Sequence, residues 1–324
     1  MIGNPSDGYN GKTIAFLFGN FNVEVELRAS EKLKLLPEEQ DLRGYDDVAQ
    51  LFSDIKQFGY YGGIRLLKAT IKKFIDYCND QNFEISKQNF TLQYKSSIPR
   101  GLGLAGSSAI ITAALKAILN YYNIEIPKPI FANLVLAVET EELSISAGLQ
   151  DRVAQAYEAP VYMDFDKQIM QNNGYGYYET FPGDLLPNLY IAFRAELSEG
   201  SEVVHNDLRQ RYDAGEKVVK DAMERFAELT SSAYELLKNG GWEEVGELMN
   251  ENFDLRRSIS HIHEKNLEMV ELARSVGASA KFTGSGGAII GTYRDHHMYE
   301  ELSAKFESLR IKILNPEIID HSEN

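Results

Sequence analysis

The chain has 324 residues, 44% of them hydrophobic and 25% charged, the proportions of a soluble globular protein with one large or two medium domains. Its formal net charge of −15 excludes extended nucleic-acid and anionic-membrane surfaces as partners, because both would repel it, and leaves only a local basic pocket for a small anion. A lone cysteine, Cys78, excludes an internal disulfide and points to a reducing cytoplasm; no apolar run approaches the ~20 residues that cross a bilayer, and the opening MIGNPSDGYNGKT is neither basic nor apolar enough for a signal peptide.

In chain order, IAFLF (14–18) and FNVEVEL (21–27) are short and apolar or alternating, and predict strands. The spacing of Ile64, Leu67, Ile71, Phe74 and Ile75 predicts a helix over 60–78, and FTLQYKS (90–96) alternates as a strand. A glycine loop follows, then helices to about 122, over 128–143 and over 147–158. PVYMDF (160–165) predicts a strand, 166–186 is polar and rich in Gly and Tyr, and LYIAFRAE (189–196) is another strand. Charged amphipathic helices fill 203–276. The chain closes with strand AKFTG (280–284), a glycine turn, strand AIIGTY (288–293), a helix over 296–309 and strand RIKIL (310–314). Strand, helices, strand, strand, helix, strand predicts an α+β half with an antiparallel sheet. The domain boundary is expected near 180–190, where Gly, Pro and Asn cluster.

The stretch IPRGLGLAGSSAIITAAL (98–115) carries the chemistry. Gly101, Gly103 and Gly106 spell the dinucleotide fingerprint, yet no acidic residue follows at a strand end; Glu125 sits in NIEIPKP, cut short by Pro127. A P-loop needs a lysine after its last glycine, and none comes before Lys116 in the helix interior. A third reading takes the whole string: glycines let the backbone approach a polyphosphate, and the helix start offers unpartnered N–H groups and a positive dipole end. Ser107 or Ser108 could cap that helix or ligate Mg²⁺. A plain Ser-capped helix with no ligand is the alternative.

Two further segments bear on that choice. In ETEELSISAGLQDRVAQAY, Glu139 and Asp151 stand on either side of Gly148. Transfer of phosphate to a hydroxyl wants one carboxylate on Mg²⁺ and another near the nucleophile. Glu141 and Glu142 read as a solvated helix end, whereas Asp151 is flanked by apolar Leu149, Val153 and Ala154. In KFTGSGGAIIG, Gly284, Gly286 and Gly287 form either a tight hairpin turn or a second backbone wall over the phosphates.

Together these segments resemble the GHMP kinase superfamily. Pro99 to Ala109 is similar to its central P-x-x-x-G-L-G-S-S-A motif, with one residue more, Ala105. GNPSDGYNGKT resembles the first family motif and Lys281 to Gly287 the third. GNPSDGYNGKTI, YYGGIRLL, GLAGSSAI, AGLQDRVAQAY, VYMDF and KFTGSGGA resemble, in the same order, segments of the plant-type glucuronokinase branch. The resemblance implies an α+β two-domain fold: residues 1–185 resembling the ribosomal-protein-S5 second domain and binding ATP, and 186–324 ferredoxin-like, with ATP and Mg²⁺ in the cleft between. It implies a further strand and an arginine ahead of Met1, which we read as a start assigned downstream.

Carried over by position, Gly101, Gly103, Leu104, Ala105, Gly106, Ser107 and Ser108 would hold the ATP phosphates. Ser108 and Glu139 would hold Mg²⁺, and Asp151 would orient or deprotonate the sugar hydroxyl. Asp7, Arg152, Gly284, Ser285 and Gly286 would bind substrate. Where galactokinases have Glu-His, this chain has Asn4-Pro5, so a different sugar is implied. The implied reaction is phosphorylation of D-glucuronate at its anomeric hydroxyl. Alternatives are a heptose, fucose, galactose or mevalonate kinase, or a non-catalytic sensor of the same fold. A uronate needs a cation for its carboxylate; Arg152 and Arg65 are the candidates, though Arg65 also fits a solvated helix face. Tyr60 and Tyr61 could line a pocket or pack in the core. Expected partners are ATP and a small sugar, with no nucleic acid and no membrane, in a cytoplasmic monomer or homodimer.

Overall fold

The computed structural model describes residues 1–42, 46–48, 50, 62–194 and 208–322. Its strands are β1 (Lys12–Ala15), β2 (Leu17–Phe18), β3 (Val23–Ser30), β4 (Lys34–Leu36), β5 (Asn89–Ser96), β6 (Val161–Asp164), β7 (Tyr177–Thr180), β8 (Leu189–Phe193), β9 (Lys281–Phe282), β10 (Ala288–Thr292), β11 (Lys312–Leu314) and β12 (Ile318–Ile319). Its helices are α1 (Gly63–Asp80), α2 (Gly106–Tyr122), α3 (Lys128–Ala137), α4 (Gln150–Tyr157), α5 (Lys167–Asn173), α6 (Lys217–Asn239), α7 (Trp242–Ile259), α8 (Glu264–Arg274) and α9 (His296–Ser308). None of the described helices is long and apolar enough to cross a membrane.

Contacts divide the chain into two units. One comprises Met1–Asn20, Pro99–Leu104 and Tyr157–Asn324, the other Phe21–Ile98 and Ala105–Ala156. Position 185 lies inside the first unit, because β1 pairs with β6, β6 with β7, and α6 packs on β1, where Thr230 Oγ1 donates to the Lys12 carbonyl at 3.0 Å. The N-terminal strand is thereby tied to helices far along the chain.

The rest of the first unit is built on an antiparallel sheet of order β11-β8-β10-β9. Counted within this sheet the order is 4-1-3-2, with helices between its first and second and its third and fourth strands: a β-α-β-β-α-β plait. Tyr190, Ala192, Phe282 and Ile289 of the sheet share one core with Phe253 of α7, Met269 and Val270 of α8, and Leu302 and Phe306 of α9.

The second unit has a three-stranded sheet of order β3-β5-β4, antiparallel at β3–β5 and parallel at β4–β5. On β3 the half-buried Val23, Val25 and Leu27 alternate with exposed Glu24, Glu26 and Arg28, the pattern of a sheet with one wet face. Helix α2 packs on α1 and β3 and buries Ile110, Ile111, Ala114, Leu115 and Ile118.

The predicted elements over 14–18 and 128–143 each divide. The first becomes β1 and β2, and α3 gives way at Val138 to a π turn, Val138–Glu142. The stretch 166–186 is not featureless: Asp166 accepts from the N–H groups of Gln168 and Ile169 and caps α5, and β7 follows.

Candidate functional site

In the first unit, two glycine segments meet backbone to backbone. Gly103 has φ 63°, and a Cβ there would stand 3.0 Å from Ser285 N and 3.1 Å from Gly286 O. A Cβ on Gly284 would stand 2.9 Å from Gly103 O, the carbonyl to which Thr283 Oγ1 donates at 3.2 Å. Glycine is required at Gly284 by this approach, and favoured at Gly103 by a tight approach and its left-handed backbone.

Buried polar groups hold this contact from behind. Gly3 N–H donates to Asn252 Oδ1 at 2.8 Å, and Asn252 Nδ2 donates to Asn4 O at 3.3 Å. Asn4 Nδ2 reaches the carbonyls of Thr283 and Gly284 at 3.2 and 3.4 Å, and Asn4 Oδ1 accepts from Lys281 Nζ at 2.6 Å. Arg256 Nη1 donates to Gly284 O at 2.7 Å and Nη2 to Ser285 O at 3.3 Å, while Gly287 N–H donates to Asn266 Oδ1 at 3.2 Å. Burial pushes the Lys281 ammonium well below the ordinary lysine pKa, and the nearby Arg256 charge adds to that; burial also lowers Arg256 to about 10. Asn4 is 6% exposed and faces the protein.

The same unit presents the turn Ser6–Tyr9, with half-buried Asp7 in its first turn. Burial raises the Tyr9 phenol; the Arg209 charge opposes this and the Asp7 charge adds to it.

In the second unit, α2 begins at Gly106 behind Ala105, whose backbone is left-handed at φ 58°. The Ala105 carbonyl accepts from Ala109 N–H at 3.0 Å, Ser108 Oγ at 3.0 Å and Gln155 Nε2 at 3.3 Å. The helix has no side-chain cap and no acidic residue in its first turn. The N–H groups of Gly106, Ser107 and Ser108 have no acceptor within the helix, and the dipole is positive there, so an anion fits. Ser107 is half-buried and Ser108 buried; the Ser108 hydroxyl also accepts from Gln155 Nε2 at 3.0 Å, which leaves it one lone pair.

The acidic pair is built on the π turn and α4. Glu139 is buried, and Arg152 donates to its Oε2 through Nε at 2.7 Å and also through Nη2. Arg152 Nη1 reaches Gly148 O at 3.1 Å and Asp151 Oδ2 at 3.4 Å, so one guanidinium links both carboxylates. Burial raises the Glu139 carboxyl pKa more than Arg152 lowers it. Asp151 is more open, with its side chain 37% exposed. Single π turns inside helices recur at functional sites.

The expected residues therefore fall into two groups. Asp7, Gly101, Gly103, Leu104, Gly284, Ser285 and Gly286 belong to the first unit; Ala105, Gly106, Ser107, Ser108, Glu139, Asp151 and Arg152 belong to the second. Arg152 turns inward to Glu139, Arg65 stands exposed on α1, and Tyr60 and Tyr61 lie outside the described residues. The sequence reading missed Asn252, Arg256 and Asn266. A signal existed: Asn252 and Arg256 share the buried face of α7 with Val245, Met249, Phe253 and Ile259, polar residues at apolar positions. Among the described residues no three His, Cys, Asp or Glu converge as a ready metal cage.

The family model for the GHMP kinases N terminal domain matches residues 65–159, and that for the GHMP kinases C terminal domain matches 233–317. Over 297 residues the chain is 43% identical to probable glucuronokinase 2 of Arabidopsis thaliana, covering 90% of this chain and 81% of that protein. It is 42% identical over 296 residues to glucuronokinase 1 of the same plant, with the same coverage. The fold matches the crystal structure of Lactococcus lactis galactokinase complexed with galactose at a TM-score of 0.76 and 17% identity, covering 98% of this chain and 91% of that one.

Proposed function

The chain belongs to the GHMP kinase family and is an ATP-dependent kinase of a sugar hydroxyl; we propose that the sugar is D-glucuronate and that the oxygen phosphorylated is its anomeric hydroxyl. The observation that carries the reading is the linked pair Glu139–Arg152–Asp151, one carboxylate buried and one open, in a chain 43% identical to a probable glucuronokinase. Residues 1–185 form the ATP-binding domain and 186–324 the C-terminal domain in this reading, one family-model match falling on each.

Each group then has a role set by its chemistry. The uncapped start of α2 and the loop Gly101–Ser108 receive the phosphates through backbone N–H groups. Gly284, Ser285 and Gly286 stand against Gly103 and keep that loop in shape. Asp7 accepts hydrogen bonds from sugar hydroxyls. Asp151 takes the proton of the attacking hydroxyl as its oxygen bonds to the γ-phosphorus and the bond to ADP breaks. Positioning and charge do most of this work, since the transferred group carries its charge on peripheral oxygens.

Mg²⁺ suits the donors present. Both Arg152 bonds land on Oε2 of Glu139, so Oε1 would be the ligating oxygen, and Ser108 keeps a lone pair. These are hard oxygens, and too few for an all-protein cage, as Mg²⁺ sites shared with phosphates are. Bound there, the ion would neutralise phosphate charge. Arg152 serves as the counter-ion that keeps Glu139 oriented.

A panel of sugars assayed with ATP and Mg²⁺ tests the reading. D-glucuronate is expected to be phosphorylated to a 1-phosphate with the highest kcat/KM. Turnover of a heptose phosphate, fucose, galactose or mevalonate in its place overturns the substrate while leaving the kinase class.

A further inference from the structure

A uronate brings a carboxylate to a chain whose net charge is −15, so a cation must be held for it. Several cations that neighbour the expected site residues are engaged elsewhere. Arg152 lies inside on Glu139. Arg256 is buried against the carbonyls of Gly284 and Ser285, and Lys281 against Asn4 and Phe282. Arg211 grips Glu216 through Nε and Nη2, both at 2.8 Å, and the Ile259 carbonyl through Nη1.

Arg209, two residues before Arg211 in the helical residues 208–213, differs. Its side chain is exposed, and its guanidinium lies 4.3 Å from the centre of the Tyr9 ring. It donates from Nη2 to the carbonyl of Gly8. Among the described residues it has no carboxylate partner, and neither Nε nor Nη1 is engaged. Tyr9 is itself packed, 7% exposed, in a cluster with Leu208, Val219, Phe226 and Ile259. The arginine is thus fixed on an aromatic plate beside Asp7, with part of its donor fork open.

We propose that Arg209 is a specificity-determining residue that receives the carboxylate of a uronate, the sugar lying against the Ser6–Tyr9 turn. The proposal rests on the glucuronate reading above. Three features support it. A planar fork matches a carboxylate's two oxygens, stacking on Tyr9 removes much of the side chain's freedom before binding, and the exposed position makes the pairing available to a ligand. Asp7, the neighbour along the turn, suits hydroxyls and repels a carboxylate, so the two residues sort the two ends of a uronic acid.

The test uses the full chain and two sugars, D-glucuronate and its neutral amide, D-glucuronamide. Arg209→Gln is expected to lower the preference for glucuronate over glucuronamide by about 10- to 150-fold, the range for loss of a charged hydrogen-bonded pair. Most of the loss is expected in KM for glucuronate, with KM for ATP following wild type, and Arg209→Lys is expected to recover part of it. An Arg209→Gln enzyme whose glucuronate KM stays within about twofold of wild type overturns the proposal while the substrate reading stands. Equal losses on both sugars overturn it too, and mark Arg209 as a brace for Gly8. Absence of glucuronate turnover in the wild type overturns the substrate reading and this proposal together.

Discussion

The two units handle buried charge in opposite ways. In the first, Lys281 and Arg256 are buried among carbonyl and amide oxygens, and among the described residues neither has a carboxylate ion pair. In the second, the buried carboxylate of Glu139 meets the buried guanidinium of Arg152, which also touches Asp151. The first arrangement needs hydrogen-bond donors more than charge: burial drives Lys281 toward its neutral amine, which still donates. In the second, burial also pushes Glu139 toward its neutral form, and the Arg152 guanidinium opposes that push without cancelling it. A clamp on backbone works through its donors, as Lys281 and Arg256 do, whereas the buried carboxylate of Glu139 is met by a counter-ion.

The largest expected effect tests the chemical half of that contrast. Asp151→Asn keeps the shape and loses the proton acceptor, so kcat is expected to fall by about 10²- to 10⁴-fold, with ATP affinity by calorimetry unchanged. Retained kcat removes Asp151 from the reaction. Next comes the pair itself. Arg152→Gln leaves Glu139 buried without its counter-ion, and a loss of about 3–5 kcal/mol in stability is expected from urea unfolding. Glu139→Gln added to Arg152→Gln is expected to return much of it; a double variant as unstable as the single would mean that packing, not charge, is at stake.

The pH dependence of stability separates the two units further. Lys281 has a lowered pKa when folded, so below the ordinary lysine pKa of 10.5 the unfolded chain binds a proton that the folded one refuses. Its contribution to stability therefore rises with pH from the lowered pKa of the folded state up to that value. Glu139 has a raised pKa when folded, so its contribution falls as pH climbs above the ordinary 4.5. Lys281→Met is expected to flatten the slope between pH 7 and 9 by up to about 1.4 kcal/mol per pH unit, whatever it does to the absolute level through Asn4 and Phe282. An unchanged slope would show Lys281 charged in the fold.

Legibility in the sequence followed the same division. The glycine loop, Glu139 and Asp151 could be picked out as candidates because each lies in a local feature a few residues long: the start of α2, the π turn and the first turn of α4. The β-α-β-β-α-β half was legible from the order of its predicted elements: strand, helices, strand, strand, helix, strand. Asn252 and Arg256 were not, because their duty depends on α7 lying against Gly3, Asn4 and Gly284, far off in sequence. Arg152 was legible as important but not in direction: whether a side chain at the start of α4 turns to solvent or to Glu139 depends on how α4 packs on the π turn. Arg209 and Arg211 look alike as residues, and only the partners Gly8 and Tyr9 against Glu216 and Ile259 tell them apart.

The smallest expected effect concerns two left-handed residues of one loop. Gly103, in the first unit, would bring a Cβ into tight contact with Ser285 and Gly286. Ala105, in the second, carries a Cβ at φ 58° and ψ 32°, a conformation that costs an L-residue about 1–2 kcal/mol. Ala105→Gly removes that strain but returns about 0.5–1 kcal/mol through the greater freedom of the unfolded chain. A net gain of at most about 1.5 kcal/mol is expected, seen as a rise of about 2 °C in Tm. The informative quantity is KM for ATP measured alongside. The Ala105 carbonyl gathers donors from Ala109, Ser108 and Gln155, so a strained residue here orients the start of α2 before any phosphate arrives. If that preorganisation matters, the more stable Ala105→Gly enzyme binds ATP more weakly; if both stability and affinity improve, the alanine is merely tolerated, and the extra residue of this loop has no positioning role.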